Sequence, residues 1–85
     1  MRTFAYRVCV HFDDHDFEFA TNSISDVMEQ FEINHTAGFY TEVVSGITGE
    51  VLTYVNSPEE ENYFSDEFML MYKGWQIETV MKSLE

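Results

Sequence analysis

From Val8 to Tyr72 the chain runs 65 residues without a lysine or arginine while carrying fourteen aspartates and glutamates. Acidic proteins ordinarily intersperse lysines, because neighbours of opposite sign relieve repulsion. That relief is absent here, so whatever fold forms has to gather its apolar residues while turning these carboxylates outward. Across all 85 residues there are sixteen acids and four Lys or Arg, a net charge of −12. Such a surface favours solubility and opposes compaction by self-repulsion. It argues against nucleic acid and anionic membranes as direct partners, since polyanions bind cationic surfaces. Cationic partners are favoured instead.

The apolar inventory answers the repulsion. Hydrophobic residues make up 45% of the chain, with eight Phe, five Tyr and one Trp. A disordered chain would pair its charge with low hydrophobicity, and this one does not. Eighty-five residues suit a single domain, 1–85, that buries roughly two-thirds of its extended surface. Cys9 is the sole cysteine, which rules out an internal disulfide and points to a reducing cytoplasm. Arg7 and His11 interrupt the start of the chain, which does not read as a secretory signal. The longest wholly apolar run, Phe68–Tyr72, is far shorter than a membrane span.

Residues 4–12 alternate, with Phe4, Tyr6, Val8, Val10 and Phe12 on one side, and this predicts a half-buried strand. Asp13–Asp16 predicts a turn, and Phe17 and Phe19 return inward with Glu18 outward to complete a hairpin. Ser23 stands three residues before Asp26 as a cap, followed by an apolar stripe at Ile24, Val27, Met28 and Phe31 on a helix of about ten residues. Gly38 closes that segment. Residues 39–45 and 50–55 predict a second hairpin, with Gly49 left-handed in the connection. Ser57, Pro58 and Glu60 then form a strong start signal for a second helix. Phe64, Phe68, Met71 and Trp75 would lie on its inner face, and Gly74 would end it. Ile77, Val80, Met81 and Leu84 predict a short helical tail, although residues 75–79 also alternate as a strand would.

Two segments, 19–31 and 53–64, share an Asn-Ser pair, acids just after it and a closing Phe. The expected fold class is therefore α+β, a four-stranded antiparallel sheet in ββαββα order with the helices on one face and a short C-terminal helical tail.

Two acidic clusters stand out as a surface for a partner. One is Asp13, Asp14, Asp16 and Glu18 at the first hairpin. The other is Glu59, Glu60 and Glu61, continuing to Asp66 and Glu67, where Glu59, Glu60 and Glu67 would share a helix face. Cys9, His11 and His15 are metal-ligating types, but their spacing matches no zinc signature and Asp13–Asp16 opens no calcium loop, so no metal or other cofactor is expected. There is no glycine-rich phosphate loop, nucleophile elbow or Cys-His signature, so no catalytic residue is assigned. In Phe68–Tyr72 five large apolar residues cannot all face one core. Either the helix is buried nearly all round, or Met69, Leu70 and Trp75 form a homodimer face.

These features converge on a non-enzymatic protein that occupies the cationic nucleic-acid-binding surface of another protein, its carboxylates standing where phosphates would. In size and charge the chain is similar to small acidic antirestriction and anti-CRISPR proteins of phages, and no motif ties it to a family. The alternative is a structural or regulatory accessory module, with homodimerisation as its mode of assembly and acidity serving solubility.

Overall fold

Alternation in the first twelve residues produces the strand that organises everything else. In a computed structural model, which describes residues 3–84, β1 (Tyr6–His11) sends Val8 and Val10 into the core and Arg7, Cys9 and His11 to the other face. It pairs antiparallel with β2 (Asp16–Thr21) on one side and with β3 (Tyr40–Ser45) on the other. The 13-residue helix α1 (Ile24–Thr36) crosses behind them. β4 (Val51–Val55), the two-residue β5 (Tyr63–Phe64) and the 18-residue helix α2 (Asp66–Ser83) complete the chain.

The fold is α+β, with five antiparallel strands in the order β2-β1-β3-β4-β5. That differs from the expected four strands, and the element order becomes ββαβββα. The first four strands keep the symmetry of two hairpins, with β1 and β3 as inner neighbours. The helical parts of the two halves do not match. Asn22-Ser23 opens α1, with the Asp26 amide donating to Ser23 Oγ (3.3 Å). Ser57 accepts from the amides of Glu59 and Glu60 in the same way (3.3 Å each), yet no helix follows. Asn56 takes a left-handed conformation (φ 61°) and its amide donates to Asn62 Oδ1 (2.9 Å), folding 56–62 into a closed loop. Tyr63 and Phe64 then add to the edge of β4, and Ser65 becomes the true cap, accepting from the Phe68 amide (3.1 Å). Glu59, Glu60 and Glu61 therefore sit on a loop rather than a helix face, and Phe64 lies in a strand.

The core joins one face of the sheet to the helices. Val8, Val10, Val43, Leu52 and Val55 meet Val27, Met28 and Phe31 of α1 and Phe68 of α2. Ile24 and Phe17, both expected inside, stand 41% exposed at the helix start and on the edge strand. Thr41 and Thr53 are fully buried, and each hydroxyl is satisfied by a carbonyl, that of Phe39 (3.0 Å) and of Tyr63 (2.6 Å) respectively, as burial of a polar group requires. Gly49 is left-handed as expected (φ 78°), and Gly38 is too (φ 89°). Gly46 is needed for another reason. A Cβ there would lie 1.9 Å from the Phe4 carbonyl oxygen.

α2 departs most from expectation. It runs straight through Gly74, so the predicted helix and tail are one element. Phe68 alone among its described residues is fully buried, edge-on to Phe31 at 5.0 Å. Met71, Tyr72 and Trp75 pack partly against the core, and Tyr72 donates a hydrogen bond to the Glu32 carboxylate of α1. Beyond Trp75 the helix is exposed on all sides, the opposite of a helix buried all round.

Candidate functional site

Because the helices share one face, no secondary-structure element among the described residues covers the other face of the sheet. Its residues follow from the ladder. Asp16, Glu18 and Ala20 of β2 stand beside His11, Cys9 and Arg7 of β1. Those in turn stand beside Tyr40, Glu42 and Val44 of β3, and Glu42 pairs with Tyr54 of β4, itself opposite Tyr63 of β5. At about 4.8 Å per strand, the row from Glu18 through Cys9 and Glu42 to Tyr54 spans roughly 14 Å.

His11 lies at the centre of the acidic half of this face. Its Nδ1 is 3.0 Å from the Asp16 carboxylate and its Nε2 is 3.7 Å from Glu42, while its ring packs at a tilt against Tyr40, the centroids 4.5 Å apart. The Tyr40 hydroxyl donates to Glu42, and this bond, with partial burial, pushes the phenol pKa up to about 12. Tyr54 is also raised, first by its hydrogen bond to Glu60. Burial, then the nearby Glu18 and Glu42 carboxylates, raises the Cys9 thiol. That keeps it protonated and unreactive. Arg7 reaches Glu18 at 3.4 Å, an exposed pair of small energetic weight.

The two acidic clusters arrive at the same end of the sheet. The β1–β2 turn carries Asp13 and Asp14, and Phe12 beside it packs edge-on against Phe39 (4.7 Å), just ahead of β3. The 56–62 loop leaves β4 there as well, tied down by Asn56 Nδ2 donating to the carbonyls of His35 (3.1 Å) and Phe39 (3.3 Å). Glu60 curls back over the open face, where it contacts Tyr54 and adds to the field at Tyr40. Asp13, Asp14, Asp16, Glu18, Glu59, Glu60 and Glu61 are all exposed, and Glu42 joins them from the middle of the face. Sequence reasoning missed Glu42 because an isolated glutamate in a strand carries no signal until strand order places it between the clusters. Asp66 and Glu67 do not join. They form the first turn of α2 beyond β5, where acids compensate the helix dipole.

His15 does not gather with Cys9 and His11. It hydrogen-bonds Asp14 at 2.6 Å and packs on Phe12 at 4.9 Å. Among the described residues no group of His, Cys, Asp and Glu is arranged to hold a metal ion, and no helix is long and apolar enough to cross a membrane.

The fold and site define a two-layer α+β protein with one open, acidic and tyrosine-bearing sheet face. Comparison with protein-family models, curated proteins and solved structures finds no match.

Proposed function

We propose that this chain is a binding protein that takes a basic segment of another protein onto its open sheet face and acidic end. In this reading it works as a decoy for nucleic acid, by electrostatic and steric competition without turnover. One observation carries it: the topology brings eight of the sixteen acids, from three separate stretches of sequence, to one end and one face. Arg7 is the single Lys or Arg among the described residues placed with them. Tyr40, Tyr54 and Tyr63 add aromatic faces on which an arginine or lysine can stack beside the carboxylates, each such contact giving about 0.5–1 kcal/mol at an exposed site. The field of the body accelerates the approach of a cationic surface and repels free nucleic acid.

The test is titration with an arginine-rich peptide of about ten residues at several salt concentrations, followed by isothermal calorimetry. Affinity should fall at least tenfold between 50 and 300 mM NaCl. Joint replacement of Glu59, Glu60 and Glu61 by Gln should weaken binding severalfold while leaving the melting temperature nearly unchanged, and Asp13, Asp14 and Asp16 replaced by Asn should do the same. Binding that is indifferent to both sets, or to salt, removes the proposal.

A further inference from the structure

α2 carries two apolar faces, and the body uses one. Phe68, Met71, Tyr72 and Trp75 turn inward. On the opposite side, Leu70, Gly74, Ile77, Met81 and Leu84 follow one another at spacings of four, three, four and three. That is the rhythm of a coiled-coil seam, in which every position faces a partner helix. The four apolar side chains of the seam, with Val80 on its flank, stand 52 to 81% exposed. Together they present on the order of 500 Å² of apolar surface, at the upper end of what a monomer leaves open.

We infer that this seam pairs with the same seam of a second copy, the two α2 helices crossing antiparallel. Trp75 is not part of the contact, since it lies half-buried on the other side of the helix beside Tyr72 (5.9 Å). Three observations select a second copy. Two seams closing on each other bury on the order of 1,000 Å² in total, the lower bound that a biological interface has to reach. Two bodies that each carry a net charge of −12 can approach only where the charge is lowest. Residues 73–84 are that place, with Lys73 and Lys82 against Glu78. Antiparallel crossing also keeps the two acidic first turns, Asp66 and Glu67, at opposite ends of the pair, whereas parallel pairing sets acid beside acid. Gly74 fits the same picture. Glycine inside a helix costs about 1 kcal/mol relative to alanine, and beyond its chain neighbours and the surrounding helix backbone no described atom comes within 4 Å of the place its Cβ would occupy. In the antiparallel pair Gly74 lies opposite the Val80–Met81 turn of the other copy, whose side chains fill the space that its own chain leaves open.

The experiment is light scattering during size-exclusion chromatography of the intact protein, from 1 to 500 µM and at 50 and 500 mM NaCl. The expected mass rises toward twice 10.0 kDa with concentration, and the dimer forms more readily at high salt, where repulsion between bodies is screened. Ile77→Glu should weaken dimerisation at least tenfold while keeping the helical circular dichroism, because Ile77 touches nothing in its own core. Should Ile77→Glu fail to fold, Ile77→Gln makes the same test without an added charge. A wild-type protein that stays at 10.0 kDa at 500 µM in both salts overturns the inference, as does a dimer that persists undiminished in the variant. The salt response runs opposite to that of basic-peptide binding, so failure of one reading leaves the other standing.

Discussion

Phe68→Ala asks whether α2 is docked by one side chain. Phe68 is 1% exposed and packs with Phe31 at 5.0 Å, with Phe64 and Tyr72 near 6 Å. Removing a buried phenyl ring typically costs about 3–5 kcal/mol. The whole domain, at the usual range per residue, holds about 4–13 kcal/mol. What remains to fasten α2 is the partial burial of Met71, Tyr72 and Trp75, about 1 kcal/mol each at half the full transfer energy, and the Tyr72–Glu32 bond, about 1 kcal/mol net. Those contributions are opposed by the entropy of fixing the helix against the body. The balance turns against docking when Phe68 is lost. Once released, 18 residues with a glycine at the ninth place make a marginal helix in water. The variant should therefore lose α2 while β1–β4 and α1 persist. Since α2 is longer than the 13-residue α1, more than half of the helical circular dichroism at 222 nm should disappear. Trp75, the sole tryptophan, should shift its emission to the red. The measurement belongs at low micromolar concentration, below self-association. Unchanged emission, full helicity and a stability loss under about 1 kcal/mol would refute the reasoning.

Four further outcomes follow from the same packing and charge. Gly46→Ala drives a methyl into the Phe4 carbonyl, displacing the segment that enters β1, and should cost about 1–3 kcal/mol by urea denaturation; in dilute solution Gly74→Ala, with open space around it, should instead stabilise by up to about 1 kcal/mol. Tyr40 should ionise near pH 12 in an ultraviolet titration; because the folded state holds this proton more tightly than the unfolded chain, the stability it contributes is intact below pH 10 and lost as pH climbs through 12, and Glu42→Gln should return the phenol toward its ordinary value. Raising NaCl from 50 to 500 mM should raise the melting temperature, because screening relieves a charge of −12 and weakens few favourable ion pairs; a fall would mean that pairs such as Arg7–Glu18 matter more than their exposure implies.

The parts of the fold legible in sequence are those where local chemistry and tertiary need agree. Alternation at Tyr6–His11 is read correctly because one face of β1 is buried and the other is not. Ser23 and Gly38 bound α1 because nothing competes with them. The second helix is misread because two serine caps stand eight residues apart, each followed by acids. Ser57 makes cap-like bonds in full, and the choice falls to Ser65 because Tyr63 and Phe64 gain a strand edge and Phe68 gains the core. That competition is tertiary and leaves no mark in a local window. Gly74 misleads for a related reason. Trp75 packing on Tyr72 rewards continuation of the helix, and glycine's cost there is too small to stop it. As for the site, both acid clusters are visible in the sequence. Their meeting at one end, and the inclusion of Glu42, depend on β3 lying between β1 and β4.

The point where cations return along the chain coincides with an architectural boundary. Residues 8–72 hold all of the sheet but Tyr6 and Arg7, together with α1, the acidic loop and the inward anchors Phe68, Met71 and Tyr72, and their formal charge is −14. From Lys73 onward only Trp75 still packs against the body, and the charge through residue 84 is +1. Uniform negative charge on the body keeps bodies apart and directs cationic chains to the sheet end. A near-neutral helix that leaves the body supplies a separate surface where apolar contact is not opposed. Salt then acts on the two surfaces with opposite sign, strengthening contact between helices and weakening capture of a basic segment. A lysine-free helix end would have forced the apolar seam to form against the full repulsion of two bodies. Lys73→Glu with Lys82→Glu should therefore suppress self-association at 50 mM NaCl and release much of that suppression at 500 mM, and a suppression indifferent to salt would locate the effect in packing rather than in charge.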